Sequence, residues 1–87
     1  MAQIGADIQQ LATMGRQFTT QAVQVDTLIS AINGQLGNTS WVGPSADKFK
    51  DQWNSQFVPA LRNLEEALRA AGADVENRRQ RIEAAGS

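Results

Sequence analysis

Ten positions in the first half of this sequence, Ile4, Ile8, Leu11, Gly15, Phe18, Ala22, Val25, Ile29, Ile32 and Leu36, are separated by gaps of 4, 3, 4, 3, 4, 3, 4, 3 and 4. Such a seam, apolar with a period of 3.5, belongs to helices that pack along their length. Gln9, Gln10, Arg16, Gln17, Gln21, Gln24 and Asp26 lie between the seam positions and are polar. A strand needs a period of two, and none appears. The pattern predicts a first helix over about 5–36. Asp7 places negative charge in its first turn. Gly34 or Gly37 offers the left-handed residue that commonly closes a helix.

The second half repeats the logic less strictly. Ala46, Phe49, Trp53, Phe57, Leu61, Leu64, Leu68, Ala71, Val75 and Ile82 fall at gaps of mostly 3 and 4. Three successive steps of four, from Phe49 through Trp53 and Phe57 to Leu61, drift from a strict heptad. Glu65–Arg69 and Asp74–Arg78 are acid-before-base pairs four apart, which stabilise an exposed helix by about 0.2–0.5 kcal/mol each, while Arg62, Glu66 and Arg69 decorate its outside. A second helix is predicted over about 44–83. Pro59 lies inside it, where a proline deletes one hydrogen bond and clashes with the carbonyl four residues back. A kink is therefore expected near Ser55–Phe57.

Residues of about 37–43 form the turn. Asn38, Thr39 and Ser40 are turn formers. The residue before a proline is pushed out of the helical region, so Gly43 does not carry a helix into Pro44. Pro44 suits the first helical position, where its missing N–H is no loss. Two helices joined by a short loop pack as an antiparallel hairpin, so the fold class is all-α, a helix–turn–helix hairpin in a single domain over 1–87. Folding about residue 40 sets Gly15 near Leu64 and Ala22 near Phe57, large against small.

Eighty-seven residues bury a marginal core, and small chains usually add disulfides, a metal or a partner. There is no Cys and no His. Disulfides, thiolate metal sites and the commonest general base are thereby removed, and no cofactor is implied. Association is the remaining support. A lone hairpin leaves the outer edge of each seam uncovered, so dimerisation into a four-helix bundle is expected. The interface between hairpins or within one is assigned to Ile8, Leu11, Phe18, Val25, Ile29, Ile32, Phe49, Trp53, Phe57, Leu61, Leu64 and Leu68. A net charge of −1 gives no electrostatic footprint for nucleic acid. Arg78, Arg79 and Arg81 read as a solvated helix end that suits the macrodipole. No apolar run reaches the span of a bilayer, and the polar faces are not Lys-rich, so a membrane partner is not expected. The beginning of the chain, MAQIGADIQQL, lacks the basic and apolar regions of a Sec signal peptide.

Trp41-Val42-Gly43 at mid-chain, followed by Ala46, Phe49 and Trp53, resembles the hallmark of the WXG100, or ESAT-6-like, proteins of type VII secretion systems. The resemblance extends over the whole chain in length and in its helix–turn–helix reading. It implies a protein made in the cytoplasm and secreted without a Sec signal, acting by binding rather than catalysis, with the secretion ATPase as a partner. It also implies a homodimer or a heterodimer with a sister WXG100 protein; the balanced charge favours the homodimer. The family's Trp and Gly shape the hairpin turn, and this carries over to Trp41 and Gly43. An indole folded over Leu36 and Phe49 plugs the open end of the hairpin, and Gly43 lets the backbone turn closely beneath it. The competing role for Trp41 is a docking handle, with one edge left free.

One departure from the family matters. Its substrates commonly carry a tyrosine followed four residues later by an acid after the second helix, and this chain contains no Tyr. The alternative is a non-exported adaptor or chaperone that pairs the same hairpin with another helical protein. An enzyme is not expected, and no small-molecule substrate is implied. The acids Asp47, Asp51, Glu65, Glu66, Asp74 and Glu76 read as helix-surface charges, with no buried pair among them.

Overall fold

The first helix begins where the chain can satisfy its leading amides. In the computed structural model, which describes residues 7–86, the Asp7 carboxylate accepts a hydrogen bond from the Gln10 N–H at 3.0 Å. From this cap α1 runs over Ile8–Asn38. Asp7 is thus the N-cap rather than a charge within the first turn, a role that contributes about 0.5–2 kcal/mol. The seam residue Ile4 and the expected start near Gly5 lie outside the described residues.

Neither Gly34 nor Gly37 closes α1. Both are helical and neither has a positive φ. The helix ends instead at Thr39, whose extended backbone (φ −114°, ψ 130°) cannot continue it. Among the described residues the one with a positive φ comes later, at Gly43, with φ 115° and ψ 175°. That region is essentially open to glycine alone. A Cβ built on Gly43 would meet nothing within 4 Å. The glycine is therefore required by its backbone angles, not by close approach under the indole.

Pro44 starts the second helix, and the Asp47 N–H closes its first turn onto the Gly43 carbonyl at 3.0 Å. This helix, α2, covers Pro44–Gln52. A π turn follows over Trp53–Phe57, in which the Val58 N–H reaches back five residues to the Trp53 carbonyl. Helix α3 then runs over Val58–Gly86. The widened turn stands where Pro59 gave the expectation of a kink, and π turns of this kind occur as single interruptions of α-helices. Two side chains serve carbonyls there: Asn54 Nδ2 donates to Lys50 O at 3.0 Å, and Ser55 Oγ to Asp51 O at 2.7 Å.

Helix α1 packs against α3, and the described residues are helical on both sides of the turn with no strand. The register differs from the one that folding about residue 40 gives. Trp53 meets Asn33, Arg62 meets Asp26, and Val75 rather than Leu64 lies over Gly15. The second rod is thus displaced by roughly two to three helical turns of 3.6 residues. Because α1 persists through Asn38, the reversal is centred on the segment 39–43. The extra residue of the π turn adds to the shift.

The buried positions form a thin line between the rods: Leu11, Gly15, Ala22 and Ile29 from α1, and Ala46, Trp53, Gly72 and Val75 opposite. At Gly72 the rods approach closely. A Cβ there would lie 3.0 Å from Thr19 Oγ1 and 3.2 Å from the Gly15 carbonyl. The molecule measures 63 × 19 × 18 Å.

Candidate interaction face and hairpin tip

The two long flanks of the hairpin differ in chemistry. On one, the Arg62 guanidinium crosses from α3 to Asp26 of α1 at 2.6 Å and also holds Glu65 at 2.9 Å, while Arg69 donates to the same Glu65 at 3.0 Å. Farther along this flank an open groove of about 700 Å³ is lined by Ala12, Arg16, Thr19, Glu76 and Arg79 with Gly15 and Gly72 at its floor. Arg79 binds both Glu76 and Glu83. These contacts set the ionisation of the acids. Hydrogen bonds from Arg69, and then Arg62, hold Glu65 below its ordinary value, and Arg79 does the same to Glu76. Arg62 is held above its own by Asp26 and Glu65. The sequence placed Arg62 among residues that only decorate the outside of its helix. It is instead the cross-helix member of this cluster.

The groove and the Asp26–Arg62 pair fix which side of each helix is polar, so the residues on the other side of the contact share the opposite face. On α1 these are Met14, Phe18, Val25, Leu28 and Ile32, spaced as a second heptad stripe beside the buried one. On the second rod they are Phe57, Leu61, Leu64, Leu68 and Ala71. Met14, Leu28, Phe57 and Leu64 are 40–48% exposed, and Phe18, Val25, Ile32, Leu61, Leu68 and Ala71 are half-buried. No charged residue falls within either stripe. The predicted interface residues therefore separate into three groups. Leu11, Ile29 and Trp53 are buried inside the hairpin, Ile8 and Phe49 are half-buried, and Phe18, Val25, Ile32, Phe57, Leu61, Leu64 and Leu68 line one open apolar face.

The tip is organised around Phe49. Its ring centroid lies 5.9 Å from that of Trp41, 6.1 Å from that of Trp53 in a stacked pair, and 6.3 Å from that of Phe57. Trp53 is buried, and its indole N–H donates to Asn33 Oδ1 at 2.8 Å, which satisfies the one polar atom that burial would otherwise leave unpaired. Trp41 lies on Phe49 yet stays 39% exposed, and its neighbour Val42 is 83% exposed. Lys50 Nζ donates to the Trp41 carbonyl at 3.0 Å and so ties α2 back over the turn.

Sequence reasoning missed Asn33, Lys50 and Gly72, and it left Met14 and Leu28 out of the interface. The signal for the last two was present: they extend Phe18, Val25 and Ile32 at gaps of 4 and 3. Asn33 and Lys50 act through contacts set by the register, which the sequence alone did not supply.

Among the described residues no group of three His, Cys, Asp or Glu is placed to hold a metal ion, and no helix is long and apolar enough to cross a membrane. No family model matches the chain, nor does a curated protein or a solved structure.

Proposed function

We propose that the chain works as a non-catalytic helical hairpin of the WXG100 kind, exported by a type VII system, whose apolar face pairs with a second copy to make a four-helix bundle. The observation that carries the pairing is the uncharged stripe shared by α1 and α3. Burying a large apolar side chain contributes about 1.5–3 kcal/mol, and Met14, Leu28, Phe57 and Leu64 alone leave much of that unclaimed in the single chain. A face without charge presents nothing for an oppositely charged mate to answer, so a second copy fits it as well as a sister protein does. The W-x-G segment supports the export reading: it forms the tip of the hairpin, with Trp41 half out of its packing and Val42 free. That exposure leaves Trp41 an edge for the secretion ATPase while its other side covers Phe49.

A second reading is favoured by the missing tyrosine, which leaves the usual export signal without its aromatic. In it the same face covers another protein's helices inside the cell.

Accumulation of the chain in the medium, compared between cells with and without the type VII ATPase, separates the two. Export that stops without the ATPase supports the first reading. Absence from the medium in both strains supports the adaptor, and export that continues unchanged without the ATPase contradicts both readings. The face itself is tested by Leu28→Lys with Leu64→Lys. Both side chains are about half exposed in the single chain, so packing inside the hairpin is spared and the dimer should dissociate at least tenfold more readily, read by sedimentation, with helicity falling only as the dimer is lost.

A further inference from the structure

The apolar pattern of the second rod carries one irregularity, and the backbone carries one at the same place. From Ala46 through Phe49, Trp53, Phe57, Leu61, Leu64, Leu68 and Ala71 to Val75 the gaps are 3, 4, 4, 4, 3, 4, 3 and 4. The π turn over Trp53–Phe57 reaches back five residues where an α-helix reaches four, so it absorbs one residue more than an α-turn holds. Removing one residue from that segment changes the Trp53-to-Phe57 gap to 3. The gaps then read 3, 4, 3, 4, 3, 4, 3 and 4, an unbroken heptad that matches the seam of α1.

We infer that the segment 53–57 contains a one-residue insertion in an otherwise continuous heptad helix, and that the π turn is the device that takes it up. Without it, one extra residue would rotate everything after Phe57 by about 100° about the helix axis. Leu61, Leu64 and Leu68 would leave the apolar face, and Val75 would leave Gly15. The surroundings fit an absorbed insertion. Asn54, Ser55 and Gln56 are exposed and fill the widened turn, while Trp53 and Phe57 at its ends both hold to the ring cluster around Phe49. Asn54 and Ser55 cover carbonyls of the preceding turn with their side chains. Pro59 follows at once, with no N–H to offer, so an uninterrupted α-helix at this point would lack a bond and carry a clash that the widened turn avoids. The insertion and the proline belong together.

The test is deletion of Ser55 in a chain that also carries Pro59→Ala, compared with Pro59→Ala alone and with deletion of Ala67 in the same background. The Ser55 deletion is expected to melt cooperatively within about 10 °C of its parent. It should keep the Trp53 indole N–H resonance of the bond to Asn33 and the contact between Phe18 and Gly72, which report the register before and after the deleted residue. The Ala67 deletion removes one residue from regular helix and should lose the cooperative transition. Loss of cooperative melting in the Ser55 deletion would overturn the inference. So would tolerance of the Ala67 deletion, since the fold would then be indifferent to helical phase.

Discussion

Gly43 is the position where a single residue type is demanded. Its φ of 115° with an extended ψ lies where a side chain is strained whatever space surrounds it. Gly43→Ala is therefore expected to lower stability by about 1–3 kcal/mol, measured by urea unfolding, even though the added methyl touches nothing. Unchanged or increased stability of Gly43→Ala would contradict this reading of the turn. Trp41 and Trp53 illustrate the same contrast between type and place. Both were visible in the sequence as large aromatics, but only the register shows that Trp53 is the buried one, hydrogen-bonded to Asn33, while Trp41 is the half-exposed one lying on Phe49.

At the scale of elements, the helices, the turn segment and the apolar stripes were legible because periodicity depends only on neighbours three and four positions apart. The first-turn proline at Pro44 and the intrahelical pairs Glu65–Arg69 and Asp74–Arg78 were legible for the same reason. The register was not. It depends on where α1 stops, and Gly34 and Gly37 gave a misleading signal by remaining helical in open space. These glycines make a prediction. Gly34→Ala should stabilise the protein by about 0.5–1 kcal/mol, since helical glycine costs that much relative to alanine. Gly72→Ala should not, because its methyl would press on Thr19 and on the Gly15 backbone, and its melting temperature should fall instead.

The polar flank predicts a pH response. The folded values of Glu65 and Glu76 are lower than their ordinary ones, through hydrogen bonds from Arg69 with Arg62 and from Arg79. A carboxyl depressed in this way adds stability that is fully present above the unfolded value, about 4.3 for glutamate, and is lost as pH falls through the folded value. Thermal unfolding should thus show a drop confined to the acid side of that range. Glu65→Gln should shrink the drop, and a variant with the same acid limb as the parent would contradict the assignment. The Glu65 carboxylate is largely covered, but its partners Arg62 and Arg69 and the second acid, Glu76, are about half exposed, so the effect is modest and weakens with salt.

The whole molecule is a rod with little interior. Its radius of gyration is 19.1 Å, against about 12 Å for a compact domain of this length. The buried apolar core among the described residues is Leu11, Ala22, Ile29, Ala46, Trp53 and Val75, and two of these are alanines. Ile29 is the largest side chain that is completely covered. So slight a core is a poor basis for independent stability in a small chain, and the apolar face that lies beside it is the surface able to supply the rest. Sedimentation equilibrium of the purified protein at micromolar concentration tests this directly. The mass of two chains is expected, with helicity and cooperative melting that fall together on dilution. A species of one chain that stays folded and melts cooperatively, unchanged by dilution, would contradict it.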